Sequence, residues 1–268
     1  MSSGLLNPIL LDFQNDLIRI ERLIILTESL KSFGDEDAFT IPEESSFIVA
    51  ANQLRDDVRR SSIVFPILSG TLLLYISGRF ENFIRTTFET LCDIYASKCK
   101  KFDDLPEKMR QELINYTAMV MANPKKFGFN SISSNTFIQN ISNNISAETD
   151  LGQINSACLS ITETNMNSDM VNKIFNRIGL TTLWTEIGKQ ISLKTHFETL
   201  VDNDIVLKSR KSLDDIMSIR NKIAHPSSEP EFPDANAVLQ NIAFLKILAI
   251  EIVNYCIVQS MVFKGSNE

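Results

Sequence analysis

Apolar residues recur every three or four positions along most of the chain, which is the spacing of one face of an α-helix. Between residues 12 and 33 this face consists of Leu17, Ile20, Leu23, Ile24 and Leu30. The same pattern predicts further helices at about 43–60, 63–98, 106–122, 168–178, 181–191, 192–207, 212–225 and 233–263. The helix at 63–98 is apolar around most of its circumference in its first half, so we expect it at the centre of a bundle. No series of strands is indicated.

Local capping signals set several of these predicted boundaries. Pro106 and Pro233 occupy first-turn positions, where a missing N–H group has no cost. Ser192 is a candidate cap for the helix that follows it. Ser212, with Asp215 three residues later, resembles a capping box, which predicts that a new helix starts there.

A polar stretch interrupts the helical pattern. Residues 123–150 are rich in Asn and Ser and have no clear period, which predicts a loop-rich insertion. The predicted fold is therefore all-α, a helical bundle with a loop-rich insertion. We assign residues 1–268 to a single domain that comprises an N-terminal helix (1–42), a bundle core (43–122 and 192–268) and an insertion with short helices (123–191).

The composition is that of a globular protein and argues against a disordered chain, since 44% of the residues are hydrophobic and 22% are charged. A chain of 268 residues is long enough to bury a sizeable core. The 9 Gly and 8 Pro residues are too few for the many tight turns of a β-sandwich or barrel. The net charge of -7 argues against nucleic-acid binding over the whole surface. Any activity on RNA must therefore depend on a local site.

The cysteines show neither disulfide nor metal-site spacing. Cys92 and Cys99 would lie about 10 Å apart along one predicted helix, beyond the reach of a disulfide. No CxxC pair is present, and neither His196 nor His225 lies at metal-ligand spacing from a cysteine. This pattern favours reduced thiols and a cytoplasmic protein without a metal site.

Nothing in the sequence predicts contact with a membrane. The N-terminal residues have neither the basic nor the hydrophobic region of a secretory signal. The most apolar window, 63–76, is too short to span a bilayer and contains Pro66 and Gly70. We expect a core helix there.

Candidate chemistry lies at the end of helix 212–225. Arg220 falls in the middle of the apolar stripe of this helix, which is formed by Leu213, Ile216, Met217, Ile223 and Ala224. A guanidinium group on an inward face is costly unless it is paired or lies in a solvated cleft. We therefore expect Arg220 to have a specific partner or a specific role.

Asn221 and His225 are four residues apart and share an adjacent face of the same helix. Because Pro226 disfavours helical geometry in the residue before it, we expect His225 at or just beyond the helix C-terminus. Carbonyl dipoles at that end favour a positively charged side chain.

A guanidinium, an amide and an imidazole at one helix end suit phosphodiester cleavage. Arg220 would stabilise charge on the phosphoryl oxygens, and His225 would transfer a proton. No metal and no cofactor is needed if the 2′-hydroxyl of the substrate is the nucleophile. The spacing alone slightly favours a structural role, in which Arg220 forms an ion pair and His225 caps the helix.

The longer string SLDDIMSIRNKIAHP at 212–226 resembles the hallmark of HEPN domains, which carry Arg, a polar residue, several further residues and then His. Its core, RNKIAH at 220–225, is similar to the frequent form RNxIAH. Two further segments resemble the RiboL-PSP-HEPN subgroup, namely SGRFENFIR at 77–85 and VNKIFNRIGL at 171–180. Only the string at 220–225 is specific. Pro226 departs from the pattern, because Gly is common there.

The resemblance implies an all-α HEPN-like bundle and a homodimer in which two motifs face each other across a cleft. It implies a metal-independent endoribonuclease that leaves a 2′,3′-cyclic phosphate, often in a toxin–antitoxin or antiphage system with an antitoxin or another regulatory protein. Arg220 would stabilise the phosphate, His225 would be the acid or base, and Asn221 would orient one of them. Other HEPN domains are non-catalytic modules that bind a partner protein or a nucleotide, and this alternative remains open.

Several other residues have both a functional and a structural interpretation. Glu81 and Arg85 either form an exposed helix pair or support Arg220 or His225. Four basic residues either contact an RNA backbone or are simply solvated, namely Lys208, Arg210, Lys211 and Lys222. Packing is the expected role of His196 and of the aromatic residues that could stack on bases, namely Trp184, Phe127 and Phe129.

Overall fold

The computed structural model describes residues 2–37, 46–146, 151–225 and 231–265, and all regular structure within these ranges is helical. The α-helices are Ser2–Asp35 (α1), Ser46–Arg60 (α2), Phe65–Ala96 (α3), Glu107–Ala122 (α4), Ser131–Ser146 (α5), Ser156–Leu159 (α6), Ser168–Asn176 (α7), Leu183–Gly188 (α8), Ile191–His196 (α9), Asp202–Ala224 (α10) and Ala235–Val262 (α11). Short 3-10 turns precede α3 and flank α4. The predicted all-α class is confirmed.

Helix α3 lies at the centre of the bundle, as its apolar surface predicts. It contacts α1, α10 and α11, and α1 also packs along α11. Phenylalanine rings fill the space between these helices: Phe13 of α1 stacks on Phe83 with ring centroids 4.8 Å apart, and Phe88 meets Phe175 of α7 edge to face at 5.6 Å. Offset and edge-to-face pairs of this kind stabilise a core beyond the area that they bury.

Two helices in the described residues are long and apolar enough to cross a bilayer by length and composition alone, namely α3 together with the turn before it, and α11. The apolar window at 63–76 did not indicate this. In the described part of the chain, however, the two helices contact each other and α1. Packing in the protein core accounts for part of their composition, since 39% of the most apolar window of α3 and 50% of that of α11 are buried.

The prediction of a loop-rich stretch at 123–150 was wrong for most of its length, because residues Ser131–Ser146 form helix α5. The Asn130 side chain caps this helix by accepting the Ser133 N–H at 2.9 Å. Asn144 holds the chain that follows, since its amide donates to the Gln153 carbonyl at 2.9 Å. The Asn and Ser residues thus support a helix, and the high Asn and Ser content hid its apolar positions. Residues 147–150 lie outside the described part.

The predicted helix start at Ser212 was also wrong. Helix α10 is continuous from Asp202 to Ala224, and the helix expected at 192–207 ends at His196. Asp202 and Asp204 lie in the first turn of α10, where carboxylates favour helix initiation. Asp215 pairs with Lys211 at 2.6 Å inside the helix, so it does not form a capping box.

All four cysteines are buried free thiols in the described structure. Burial raises the pKa of Cys99 to about 11 and that of Cys158 to about 12, and it raises the pKa of Cys92 and Cys256 as well. Since thiolate is the reactive species, a pKa raised by two units lowers its fraction about 100-fold near neutrality.

We therefore expect the native protein to react with a thiol reagent at pH 8 at least ~100-fold more slowly than the unfolded chain. Absorbance of released thionitrobenzoate measures both rates, and protein unfolded in guanidinium is the reference, with four reactive thiols per chain. A native thiol that reacts at the unfolded rate would contradict the burial of that cysteine.

Candidate functional site

The last turn of α10 carries the three motif residues. His225 is the C-cap, with φ −132° and ψ 67°, and its backbone N–H donates to the Asn221 carbonyl at 3.0 Å. The side chain of Arg220 is half-buried, whereas Asn221 and His225 are exposed. The expected position of His225 at the helix end is confirmed, and Pro226 lies outside the described residues.

Close packing against α3 fixes the end of α10. Leu213, Ile216 and Met217 are buried on its inward face, as the periodicity predicts. Near the motif, Gly70 of α3 leaves room for two side chains: a Cβ at this position would overlap the Phe232 ring and lie 3.4 Å from Ile223 Cδ1. The backbone before His225 is thus held against a central helix.

Asn165 connects two of the motif residues. The Arg220 Nη1 donates to the Asn165 Oδ1 at 3.2 Å and to the Asn221 Oδ1 at 3.1 Å. The Asn165 Nδ2 in turn donates to the Asn221 Oδ1. Within the described structure, the partners of Arg220 are therefore amide oxygens and not a carboxylate. They orient the guanidinium without neutralising its charge.

Asn165 lies between Ser160 and Asn167, in a connection that we call the amide segment (residues 160–167). A buried guanidinium holds its first end: the Arg177 Nη1 donates to the carbonyls of Leu159 and of Ile161, the latter at 2.8 Å. The same guanidinium lies over the Tyr116 ring, 3.9 Å from its centroid. Burial lowers the pKa of Arg177.

The second end of the amide segment is held by helix α7 and by α10. The Asn167 side chain accepts the Met170 N–H at 2.8 Å, which caps α7. The next residue, Ser168, donates its backbone N–H and its hydroxyl to the Asp214 carboxylate at 2.8 and 3.0 Å. Asp214 lies on α10, so the segment is tied to the helix that carries the motif.

The family model RiboL-PSP-HEPN matches residues 17–258, which is most of the chain. The chain belongs to this family. The matched range includes the motif at 220–225 and the amide segment, and the all-helical bundle is the fold of a HEPN-type domain. Neither the comparison with curated proteins nor the comparison with solved structures gave a match.

In this HEPN domain, Glu81 and Arg85 contact the amide segment. The Thr162 hydroxyl donates to the Glu81 Oε1 at 3.4 Å and accepts from the Arg85 Nη2 at 3.3 Å. The Arg85 Nε lies 3.7 Å from the Glu81 Oε1, so the predicted helix pair is present. Both residues are thus linked to the site through a residue three positions before Asn165.

Three of the four basic residues proposed for RNA contact lie far from the motif. Lys208, Arg210 and Lys211 precede Arg220 by about 15 Å along the α10 axis. Lys208 donates to the Phe197 carbonyl at 3.1 Å, Arg210 pairs with Asp169, and Lys211 pairs with Asp215. Lys222 is exposed in the same turn as Arg220 and Asn221. The structure thus places only Lys222 beside the motif, and contact of these residues with RNA stays a prediction.

The aromatic residues and His196 have packing roles in this HEPN domain, as expected. Trp184 is buried and its Nε1 donates to the Ser168 carbonyl at 3.1 Å. Phe129 packs edge to face on Phe137, with centroids 5.1 Å apart. His196 is half-buried, with its ring 6.1 Å from that of Phe244, and burial lowers its pKa.

Asn165 was not among the candidates from sequence, although it contacts the motif directly. It is 55 residues from Arg220 and lies in a short polar run, TETNMN at 162–167, which resembles an ordinary loop. The only local signal was the run of polar residues just before a helix. Its partner could not be identified without the fold.

Proposed function

We propose that this HEPN-domain protein is an endoribonuclease that cleaves RNA through the 2′-hydroxyl and leaves a 2′,3′-cyclic phosphate. The observation that carries the proposal is the set of hydrogen-bond partners of the Arg220 guanidinium. This half-buried guanidinium is held by amide oxygens, so its positive charge is left for an anionic ligand. An exposed imidazole, His225, lies at the end of the same helix.

In the proposed reaction, an imidazole accepts the proton of the 2′-hydroxyl while O2′ forms a bond to phosphorus and the P–O5′ bond breaks. The leaving O5′ takes a proton from an imidazolium group. Arg220 stabilises the negative charge that develops on the non-bridging oxygens, and such donors contribute most when they are held in place beforehand. Asn221 donates its amide N–H to the same phosphate. The reaction needs neither a metal nor a cofactor.

The proposed assembly follows from the same chemistry, whereas the proposed setting comes only from the resemblance to HEPN proteins. The cleavage step requires one base and one acid, whereas each chain supplies one histidine at this site. A homodimer that brings two α10 ends together would supply both groups. We further propose that the protein acts in the cytoplasm as a toxin or antiphage effector, under control of an antitoxin or another regulatory protein.

One experiment tests the activity. Wild-type protein and a His225→Ala variant are incubated with total tRNA and mRNA in EDTA, and the product ends are mapped. We expect cleavage by the wild type alone, with cyclic phosphate ends and a loss of at least ~100-fold in the variant. Equal cleavage by both proteins would place the active site elsewhere. No cleavage by folded, dimeric wild type would favour the alternative below.

The alternative is a non-catalytic HEPN module that binds a nucleotide or a partner protein. The net charge of -7 favours this alternative, and so do the contacts that Lys208, Arg210 and Lys211 make within the protein. Together they leave little basic surface for an RNA backbone. Such a module would bind a short oligonucleotide through Arg220 and release it uncut.

A further inference from the structure

We propose that Asn165 is a positioning residue that holds the Arg220 guanidinium and the Asn221 amide in the geometry needed for the phosphate. This inference rests on the proposed function, and it names a residue 55 positions from the motif as part of the site. It is carried by three contacts that close a ring, from Arg220 to Asn165, from Arg220 to Asn221, and from Asn165 to Asn221.

The chemistry of these groups fixes the orientation of both amides. A guanidinium group has five N–H donors and no acceptor, so the atoms that face the Arg220 Nη1 must be the oxygens of Asn165 and Asn221. The Nδ2 of Asn165 then points at the Asn221 Oδ1, where it completes the ring. With its oxygen engaged twice, Asn221 directs its own NH2 group away from the guanidinium.

This ring leaves specific donors for a ligand. One nitrogen of Arg220, Nη1, is committed to the two amides in the described structure, which leaves Nε and Nη2 for a phosphate oxygen. The Asn221 NH2 group adds a neighbouring donor. Without Asn165, the flexible Arg220 side chain would lose its anchor on the amide segment and would have to be ordered by the substrate itself.

The contacts that hold the backbone around Asn165 support a positioning role. The next residue, Met166, is fully buried, so the backbone at Asn165 is anchored in the core. The amide segment is held at one end by Arg177 and at the other by the Ser168–Asp214 contacts. Because its backbone is fixed on both sides, the Asn165 side chain is rigid enough to orient Arg220 on another element.

Three variants test the proposal. Asn165→Ala removes both hydrogen bonds of the ring that involve Asn165. Asn165→Asp keeps an acceptor for Arg220, but it adds a negative charge that competes with phosphate. Thr164→Ala is the matched control, because Thr164 is an exposed neighbour in the same segment. The readouts are kcat and KM for RNA, the affinity for an uncleavable 2′-O-methyl oligonucleotide, and the NMR signal of the Arg220 Nε–H group, assigned with an Arg220→Lys variant.

We expect Asn165→Ala to lower kcat roughly 10- to 100-fold with a smaller change in KM, because misplacing a group that stabilises the transition state has effects of this size. The Arg220 Nε–H signal should broaden or exchange faster with solvent, while Thr164→Ala leaves all readouts at wild-type values. Asn165→Asp should bind the uncleavable oligonucleotide more weakly than Asn165→Ala, since its carboxylate pairs with Arg220.

Two results would overturn the inference. An unchanged Arg220 signal in Asn165→Ala would show that Asn165 does not position the guanidinium, whatever the activity. A faster Asn165→Ala enzyme would show that the amide segment blocks the site. If wild-type protein cuts no RNA, the proposed function fails, but the Arg220 signal and the oligonucleotide affinity still decide the role of Asn165.

Discussion

An Arg220→Ala variant should cleave RNA about 10²- to 10³-fold more slowly than wild type, which is the usual effect of removing one preorganised donor from a developing oxyanion. Arg220 is held by two amide oxygens and has no carboxylate partner in the described structure, so its charge is available to an anionic phosphate. Steady-state cleavage of a fluorescent RNA measures the loss. An Arg220→Lys variant should recover only part of the rate, because an ammonium group lacks the planar fork that engages two oxygens.

The control for Arg220→Ala is Ser218→Ala, an exposed position two residues earlier on the same helix. It should retain wild-type kcat and KM, and the circular dichroism of both variants should match that of wild type. If Arg220→Ala kept its rate, Arg220 would be a structural residue of α10, and the ribonuclease proposal would lose its main support.

The largest effect on stability is expected at Arg177. Replacement by Met removes a guanidinium that satisfies two buried carbonyl groups, those of Leu159 and Ile161. Each unsatisfied buried group costs about 1–3 kcal/mol, so we expect the free energy of unfolding to fall by about 2–5 kcal/mol. The contact with the Tyr116 ring is lost as well. Urea unfolding followed by circular dichroism would show the midpoint shifting to a lower concentration.

An Arg22→Met variant provides the comparison, since Arg22 is exposed on α1. A surface substitution of this kind changes the free energy of unfolding by roughly 0.5 kcal/mol or less. Equal midpoints for Arg177→Met and Arg22→Met would mean that other groups or water satisfy the two carbonyls, and that Arg177 does not hold the amide segment.

The sequence alone predicted much of the fold, because helix periodicity is a local property. The apolar stripe of α10 indicated its buried face, and Pro226 indicated that His225 would end the helix. Two local signals failed for opposite reasons. The Asn and Ser residues in and before α5 suggested a loop, although Asn130 caps this helix and Asn144 holds the chain that follows it. Ser212, in contrast, resembled a cap although α10 continues through it.

By itself, then, the sequence determined the helical class, the free state of the thiols, the place of the Arg220–His225 motif and the resemblance that the family match confirmed. Only the tertiary structure decided what surrounds the motif. Asn165 reaches Arg220 across 55 residues, and Thr162 reaches Glu81 across 81 residues. The physical reason is that such contacts depend on how distant helices pack. No spacing in the sequence identifies the partner of a single amide in a short polar run.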